Sequence, residues 1–137
     1  MKKTYDELCL AAKCARDSAY SPYSGYTVGA ALLTKSGKIY LGSNIENASY
    51  SLTMCAERTA IYKAVSEGER EFLAIAIAGA KAGESVSAPF APCGSCRQVL
   101  AEFSSPDTAV LIVTGDGYEL YTLDQLLPAG FGKKDLV

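Results

Sequence analysis

Histidine and tryptophan are both absent from the 137 residues of the chain. Without histidine, a serine–histidine triad is excluded. Any zinc site must draw on Cys, Asp or Glu ligands, and any general base must be Glu, Asp, Lys, Tyr or Cys. An excess of positive charge is missing too: 13 Lys and Arg face 15 Asp and Glu, for a net charge of -2. Cations scattered among acids make no basic stripe. That argues against nucleic acid as a partner and for a small-molecule substrate. Long apolar runs are also lacking. Phe72 to Ala80 is the most apolar stretch, far too short to span a bilayer. Behind Lys2 and Lys3, the charges of Asp6, Glu7, Lys13 and Arg16 interrupt any signal-peptide core. A cytoplasmic protein without membrane contact is expected. The five cysteines are odd in number, and with no export signal they do not read as a disulfide framework.

What is present reads as an ordinary core. Hydrophobic residues make up 49% of the chain, which suits one domain spanning residues 1–137. Thr4 to Tyr20 has the periodicity of an amphipathic helix, with Leu8, Ala11, Ala12, Ala15 and Ala19 on one face. Thr4 followed by Glu7 has the form of a capping box. Ser21-Pro22-Tyr23-Ser24-Gly25 then makes a turn. Val28 to Thr34 and Lys38 to Gly42 read as a hairpin around Ser36-Gly37. Ala56 to Ser66 is helical by composition, and Phe72 to Ala80 has the continuous apolarity of a central strand. After a loop from Lys81 to Pro92, the spacing predicts a helix over Gly94 to Phe103, strands over Ala109 to Val113 and Tyr118 to Thr122, and a short helix over Leu123 to Leu127. Strands alternating with helices indicate a layered α/β domain with a mixed sheet.

The chemistry concentrates in two short motifs. In Pro92-Cys93-Gly94-Ser95-Cys96, cysteines three apart at a helix start project their sulfurs to one side. The unpaired N–H groups of the helix end favour their ionised form. Alone, such a pair is equally a redox couple, half of a structural zinc knuckle, or two buried thiols. In Cys55-Ala56-Glu57, a further cysteine opens another apolar helix. Three thiolates would leave a fourth tetrahedral position open for water, the catalytic arrangement, whereas a structural site needs a fourth protein ligand. Cys9 and Cys14 are the spare candidates, but five residues apart on a helix they point about 140° away from each other. Packing is their expected role. In a regular helix Glu57 would lie about 200° round from Cys55, so the two converge only if the site caps the helix end. Read alone, Glu57 is a first-turn acid on the helix dipole. Together, C-A-E and P-C-x-x-C match the three-cysteine form of the zinc deaminase signature, in which the Glu is the general acid and base. Three thiolates around Zn²⁺ leave a net negative site, which disfavours ionising a bound water. Arg58 and Arg97 follow the motifs directly. Both guanidinium groups are expected to hydrogen-bond the sulfurs and withdraw charge.

With these motifs in place, the sequence closely resembles the cytidine deaminases, specifically the short, homotetrameric, three-cysteine type. The resemblance runs through Ser21-Pro-Tyr-Ser24, Val28-Gly-Ala-Ala-Leu32, Asn44-Ile-Glu-Asn-Ala-Ser-Tyr50, Cys55-Ala-Glu-Arg-Thr-Ala60, Pro92-Cys-Gly-Ser-Cys-Arg-Gln-Val99, Leu126-Leu-Pro128 and Phe131-Gly132. It implies a three-layer α/β/α sandwich around a five-stranded mixed sheet. It also implies hydrolytic deamination of cytidine and deoxycytidine in pyrimidine salvage. On it, Cys55, Cys93 and Cys96 hold zinc, Glu57 shuttles protons, Asn44 and Glu46 take the ribose hydroxyls, and the Ala56 N–H meets the base carbonyl. Tyr26 packs on the pyrimidine, where the family usually has Phe. Ala48, Tyr50 and Phe131 complete the sites of neighbouring subunits in a homotetramer. The loop from Lys81 to Ala91 is long and apolar for the family. Three rival readings are deamination of another cytosine nucleoside such as a nucleoside antibiotic, against which Asn44 and Glu46 argue for an ordinary ribose, a polynucleotide deaminase, disfavoured by the acidic balance, and a zinc-stabilised interaction domain, which would need a closed four-ligand site.

Overall fold

The first helix and the sheet explain each other through small side chains. The computed structural model describes residues 2–137. Its elements are α1 (Lys2–Ala15), β1 (Tyr26–Thr34), β2 (Ile39–Ser43), α2 (Ala56–Ser66), β3 (Phe72–Lys81), α3 (Gly94–Glu102), β4 (Ala109–Val113), β5 (Tyr118–Thr122) and α4 (Leu123–Leu126). The strands form one sheet in the order β2-β1-β3-β4-β5. Only β3 and β4 pair in parallel; the other neighbours are antiparallel. The period-2 alternation of side chains divides the sheet residues between two cores. Ala31, Leu33, Ala74, Ala76, Ala78, Leu111 and Val113 pack with Leu8, Cys9 and Ala12 of α1. Ala30, Leu32, Ile75, Ile77, Val110 and Ile112 pack with Ala56, Ala60, Ile61 and Ala64 of α2 and Leu100 of α3. All the sheet alanines except Ala30 lie on the α1 side and let that helix approach closely. The fold is the expected α/β/α arrangement around a five-stranded mixed sheet.

Most expected boundaries hold, and the differences have physical causes. α1 starts at Lys2, so Thr4 lies inside the helix and does not cap it. The helix ends at Ala15 and runs into a 3₁₀ turn over Arg16–Ser18, after which Ala19 is extended. The apolar face set the expected length, and it continues through that turn. β1 begins two residues early because Tyr26 pairs with Lys81 and Thr27 with Ala80 across the sheet. Cys9 packs as expected, and burial, then the nearby Asp6 carboxylate, pushes its thiol up to about 11. Cys14 is exposed, which corrects the packing role expected for it: it sits on the opposite side of α1.

The sheet directions bring the two motifs together. β2, β3 and β4 all run the same way, since β1 is antiparallel to both β2 and β3 and β4 is parallel to β3. α2 follows β2, and α3 follows β3. Both helix N-termini therefore lie at the carboxyl edge of the sheet, where open α/β sheets bind ligands. Gly42 of β2 seats α2 there. A Cβ on Gly42 would come within 2.3 Å of the Ala56 carbonyl oxygen and 2.6 Å of the Ala60 nitrogen. Neither backbone atom can give way alone. Gly42→Ala is expected to push the start of α2 off the sheet and to lower stability by about 3 kcal/mol, the upper range for overpacking. Urea unfolding of the variant beside the wild type measures it.

Candidate active site

Neither Cys55 nor Cys93 is a helical residue, and that is what makes the site possible. Cys55 is the N-cap of α2, with extended backbone at φ -73°, ψ 154°. Cys93 is the N-cap of α3 at φ -67°, ψ 168°. The helical angle between Cys55 and Glu57 therefore does not apply, and both can face the same space. Cys96 is the third residue of α3, so its sulfur turns back to the cap. The Cys55 and Cys93 sulfurs are 4.0 Å apart, and those of Cys93 and Cys96 are 3.5 Å apart. All three lie within 4.8 Å of one another and form the one candidate metal cluster of Cys, Asp or Glu among the described residues. Thiolates bound to zinc at 2.3 Å in a tetrahedron sit about 3.8 Å apart. The observed set fits that ion with little movement, and no fourth Cys, Asp or Glu among the described residues joins it.

The electrostatics ask for a cation. Hydrogen bonding, from Cys96 first and then from Arg58, pulls the Cys55 thiol down to about 5 against its desolvation. Cys96, buried and bonded to Cys55, resists ionisation. One thiolate forms readily and makes the next harder to form, as expected of like charges at this distance. Arg58 Nη2 donates to the Cys55 Sγ at 3.4 Å, the contact expected of it, and the sulfur in turn strengthens the hold of the guanidinium on its proton. Arg97 differs from the expectation. Its Nε donates to the Pro92 carbonyl at 2.8 Å and its Nη1 to the Leu126 carbonyl at 2.7 Å. One residue beyond Cys96 is about 100° round the helix, which turns this side chain away from the sulfurs and toward the loop ahead of Cys93 and the end of α4.

Glu57 is the second residue of α2 and only 6% exposed. Burial, with the Cys55 thiolate adding to it, pushes its carboxyl up to about 7. Ala56 ahead of it is the first residue of the helix, where the N–H has no acceptor inside the helix. The segment after β2 carries Asn44 and Glu46, held to the turn after α1 by backbone bonds from Tyr20 to Asn44 (2.9 Å) and from Glu46 to Tyr20 (2.8 Å). Asn44 is buried. Its Oδ1 accepts from the Val28 N–H and its Nδ2 donates to the Tyr26 carbonyl, both at 2.9 Å. Glu46 Oε1 accepts from the N–H groups of Tyr23 (2.9 Å) and Ser24 (3.0 Å), and its Oε2 accepts from the Ser24 hydroxyl. That hydroxyl, then the backbone donors, hold the Glu46 carboxyl below its ordinary range. Ser24 and Tyr23 escaped the sequence reading, although the Ser-Pro-Tyr-Ser turn carried them.

Tyr23, Ser24, Glu46, Tyr50 and Thr53 line a cleft of about 380 Å³. Tyr50 meets Tyr23 edge-on at 6.0 Å and is 73% exposed. Ala48 is exposed as well. Phe131, 60% exposed, lines a different cavity of about 620 Å³ near Leu123, Leu127 and Lys134, and its carbonyl accepts from Gln98 Nε2 at 2.9 Å. Tyr26 is more than a third exposed and stacks on Phe90, a loop residue that the sequence reading did not single out. No helix among the described residues is long and apolar enough to cross a membrane.

Residues 2–112 match the family model described as the cytidine and deoxycytidylate deaminase zinc-binding region. A cytidine deaminase of Sporosarcina psychrophila is 48% identical over 132 residues, covering 96% of this chain and 93% of that one. One of Halalkalibacterium halodurans is 50% identical over 124 residues, covering 89% of each. The crystal structure of cytidine deaminase from Burkholderia pseudomallei superposes with a TM-score of 0.82 at 45% identity, over 91% of this chain and 97% of that one. From the sulfur geometry, the purified protein is expected to carry one zinc per chain. Cys96→Ser should release it and Cys14→Ser should retain it, as read by chelator titration and elemental analysis.

Proposed function

Because the chain belongs to the cytidine and deoxycytidylate deaminases, a family of zinc-binding hydrolases, we propose that it hydrolyses cytidine and 2′-deoxycytidine to uridine and 2′-deoxyuridine. Ammonia is released, and the reaction serves pyrimidine salvage. The observation that carries this reading is the three-sulfur cluster with a buried carboxylic acid beside it. Residues 1–137 act as one catalytic domain.

Zinc held by Cys55, Cys93 and Cys96 would supply a water acidic enough to serve as nucleophile near neutral pH. The chain's own residues do the rest. Glu57 accepts the proton of the attacking water and delivers it to the ring N3, which makes C4 electrophilic. After the C4–O bond has formed, Glu57 takes the remaining proton from the new C4 hydroxyl and passes it to the amine, which leaves as ammonia as the C4–N bond breaks and the C4 carbonyl forms. Burial strengthens the hold of this carboxyl on its proton, which suits a group that must take up a proton and give it back. Arg58 withdraws charge from the Cys55 sulfur. The Ala56 N–H takes the base carbonyl, and the Tyr26 ring packs on the pyrimidine.

Counting hydrogen-bond capacity supports activity on both sugars. A carboxylate accepts about four hydrogen bonds, and Glu46 already accepts three. Asn44 Nδ2 has two N–H donors, of which one goes to Tyr26. A single hydroxyl, donating to Glu46 and accepting from Asn44, would fill what remains. The 3′-hydroxyl common to both sugars fills this role, and the 2′-hydroxyl needs no partner here. Ala48, Tyr50 and Phe131, all exposed in the single chain, would complete the sites of neighbouring copies in a homotetramer.

Ultraviolet-monitored turnover tests the reaction. Cytidine and 2′-deoxycytidine should be converted with kcat/KM values within a few-fold of each other. 3′-Deoxycytidine should be converted about tenfold to 100-fold less efficiently, because the buried Asn44 and the half-exposed Glu46 would both lose their hydroxyl partner. Glu57→Gln should lose at least about 100-fold in kcat with zinc retained. No conversion of cytidine by zinc-loaded protein would overturn the reading. Light scattering should give the mass of four chains, and a monomer would remove the shared-site assignment.

A further inference from the structure

The loop from Ala82 to Cys93 has no regular structure, yet it is pinned along its length. Ala82 donates to the Gly25 carbonyl at 2.8 Å. Arg16 reaches the Lys81 and Glu84 carbonyls at 3.2 and 2.9 Å. Val86 is buried beside α1, and the Ser87 carbonyl accepts from the Gly115 N–H at 3.0 Å. The last anchor before the cysteines is Phe90. Its ring lies against that of Tyr26, with centroids 5.7 Å apart and planes at 29°. It also lies over the Cα of Gly79 in β3. A Cβ on Gly79 would come within 2.5 Å of the Phe90 Cδ2 and 2.6 Å of its Cγ. The missing side chain at Gly79 is thus a notch that receives the ring, opposite Val28 in the β1–β3 register.

We propose that Phe90 is a positioning residue for pyrimidine recognition: it backs the Tyr26 ring and ties it to the segment that delivers Cys93. The proposal rests on the reading of Tyr26 as the base platform. Tyr26 stands at the first position of β1, where more than a third of it remains exposed and its ring stacks on that of Phe90. Its backbone is fixed on both sides, by the Ser24 hydroxyl accepting from its N–H at 3.1 Å and by Asn44 donating to its carbonyl. What remains free is the side-chain rotamer, and Phe90 blocks one face of it. Three residues later the same loop reaches Cys93, so one aromatic contact sets the distance between the base platform and the sulfur cluster.

A platform that supports the base equally before and during the reaction acts on binding and leaves the chemical step alone. An aromatic pair beyond its burial is worth a few-fold to about tenfold in an equilibrium. Steady-state kinetics on cytidine should therefore show Phe90→Ala raising KM about fivefold with kcat within about twofold and one zinc per chain retained. Phe90→Tyr keeps the ring and should restore KM. Phe90→Leu keeps bulk without the ring and should behave as Phe90→Ala, which covers the case of a misfolded alanine variant. Gly79→Ala, by filling the notch, should raise KM in the same way. On a Tyr26→Ala background, Phe90→Ala should add nothing further. An unchanged KM in Phe90→Ala, or an equal additional rise on the Tyr26→Ala background, overturns the proposal while wild-type turnover leaves the deaminase reading standing. Absence of wild-type turnover overturns that reading and the proposal with it. An unchanged KM in Tyr26→Ala removes the platform, and the proposal with it, while the deaminase reading stands.

Discussion

Three sulfurs within 4.8 Å of one another are the constraint on which the rest of this structure depends. Thiolates repel at that distance, and neutral thiols gain little from one another. A cation between them relieves the repulsion and lets all three ionise. The protein prepares for that in the way it builds the helix ends. Both N-cap positions, normally held by a short side chain that bonds the first backbone N–H groups, are given to cysteine, and neither makes a side-chain cap bond. The helix ends are left with unpaired donors facing the sulfurs. The capping bonds given up are worth about 1 kcal/mol each, which metal binding exceeds many times over.

The sheet makes that placement possible by geometry that no single motif contains. Two helices reach the same edge because the strands before them run the same way, and α2 sits close to β2 because Gly42 has no side chain to hold it off. The same edge carries Tyr26, since β1 runs opposite to its neighbours and starts where they end. The three cysteines, Glu57, the amide of Asn44 with the carboxylate of Glu46, and the Tyr26 ring thus come from four separate stretches of chain. Each stretch is fixed by backbone bonds, so little remains to be ordered when a ligand arrives.

Much of this was legible in the sequence. The spans of α2, β4 and β5 match the expected ones to the residue, because each is bounded by turn residues and has an unambiguous apolar pattern. The two cysteine motifs announced the cluster through residue type and order alone. What could not be read depended on partners distant in sequence. The extra two residues of β1 come from pairing with β3. Arg97 sits beside a ligand in sequence but faces the carbonyls of Pro92 and Leu126. Cys14 looked like a packed thiol and lies on the solvent side of its helix. Phe90 stands in a loop without periodicity, so nothing local distinguishes it from filler. Only the fold shows that Gly79 and Tyr26 receive it.

The corrected position of Arg97 changes how the charge of the site must be balanced. With two arginines on the sulfurs, guanidinium groups alone would more than offset a zinc with three thiolates. With Arg58 alone in contact, one guanidinium meets one excess negative charge, and the proton-carrying Glu57 adds another whenever it ionises. The remaining compensation falls to the two helix N-termini, each equivalent to roughly half a positive charge. These do not move and need no side chain. Their field is largest at the caps, where Cys55 and Cys93 stand, and it fades within one turn. Glu57 lies inside that turn, and its carboxyl still sits near 7, so burial and the neighbouring sulfur outweigh the helix end at its position. The cysteines thereby receive the stabilisation of the helix ends, while the acid beside them keeps its proton available near neutral pH. That division suits the proton transfers proposed for Glu57.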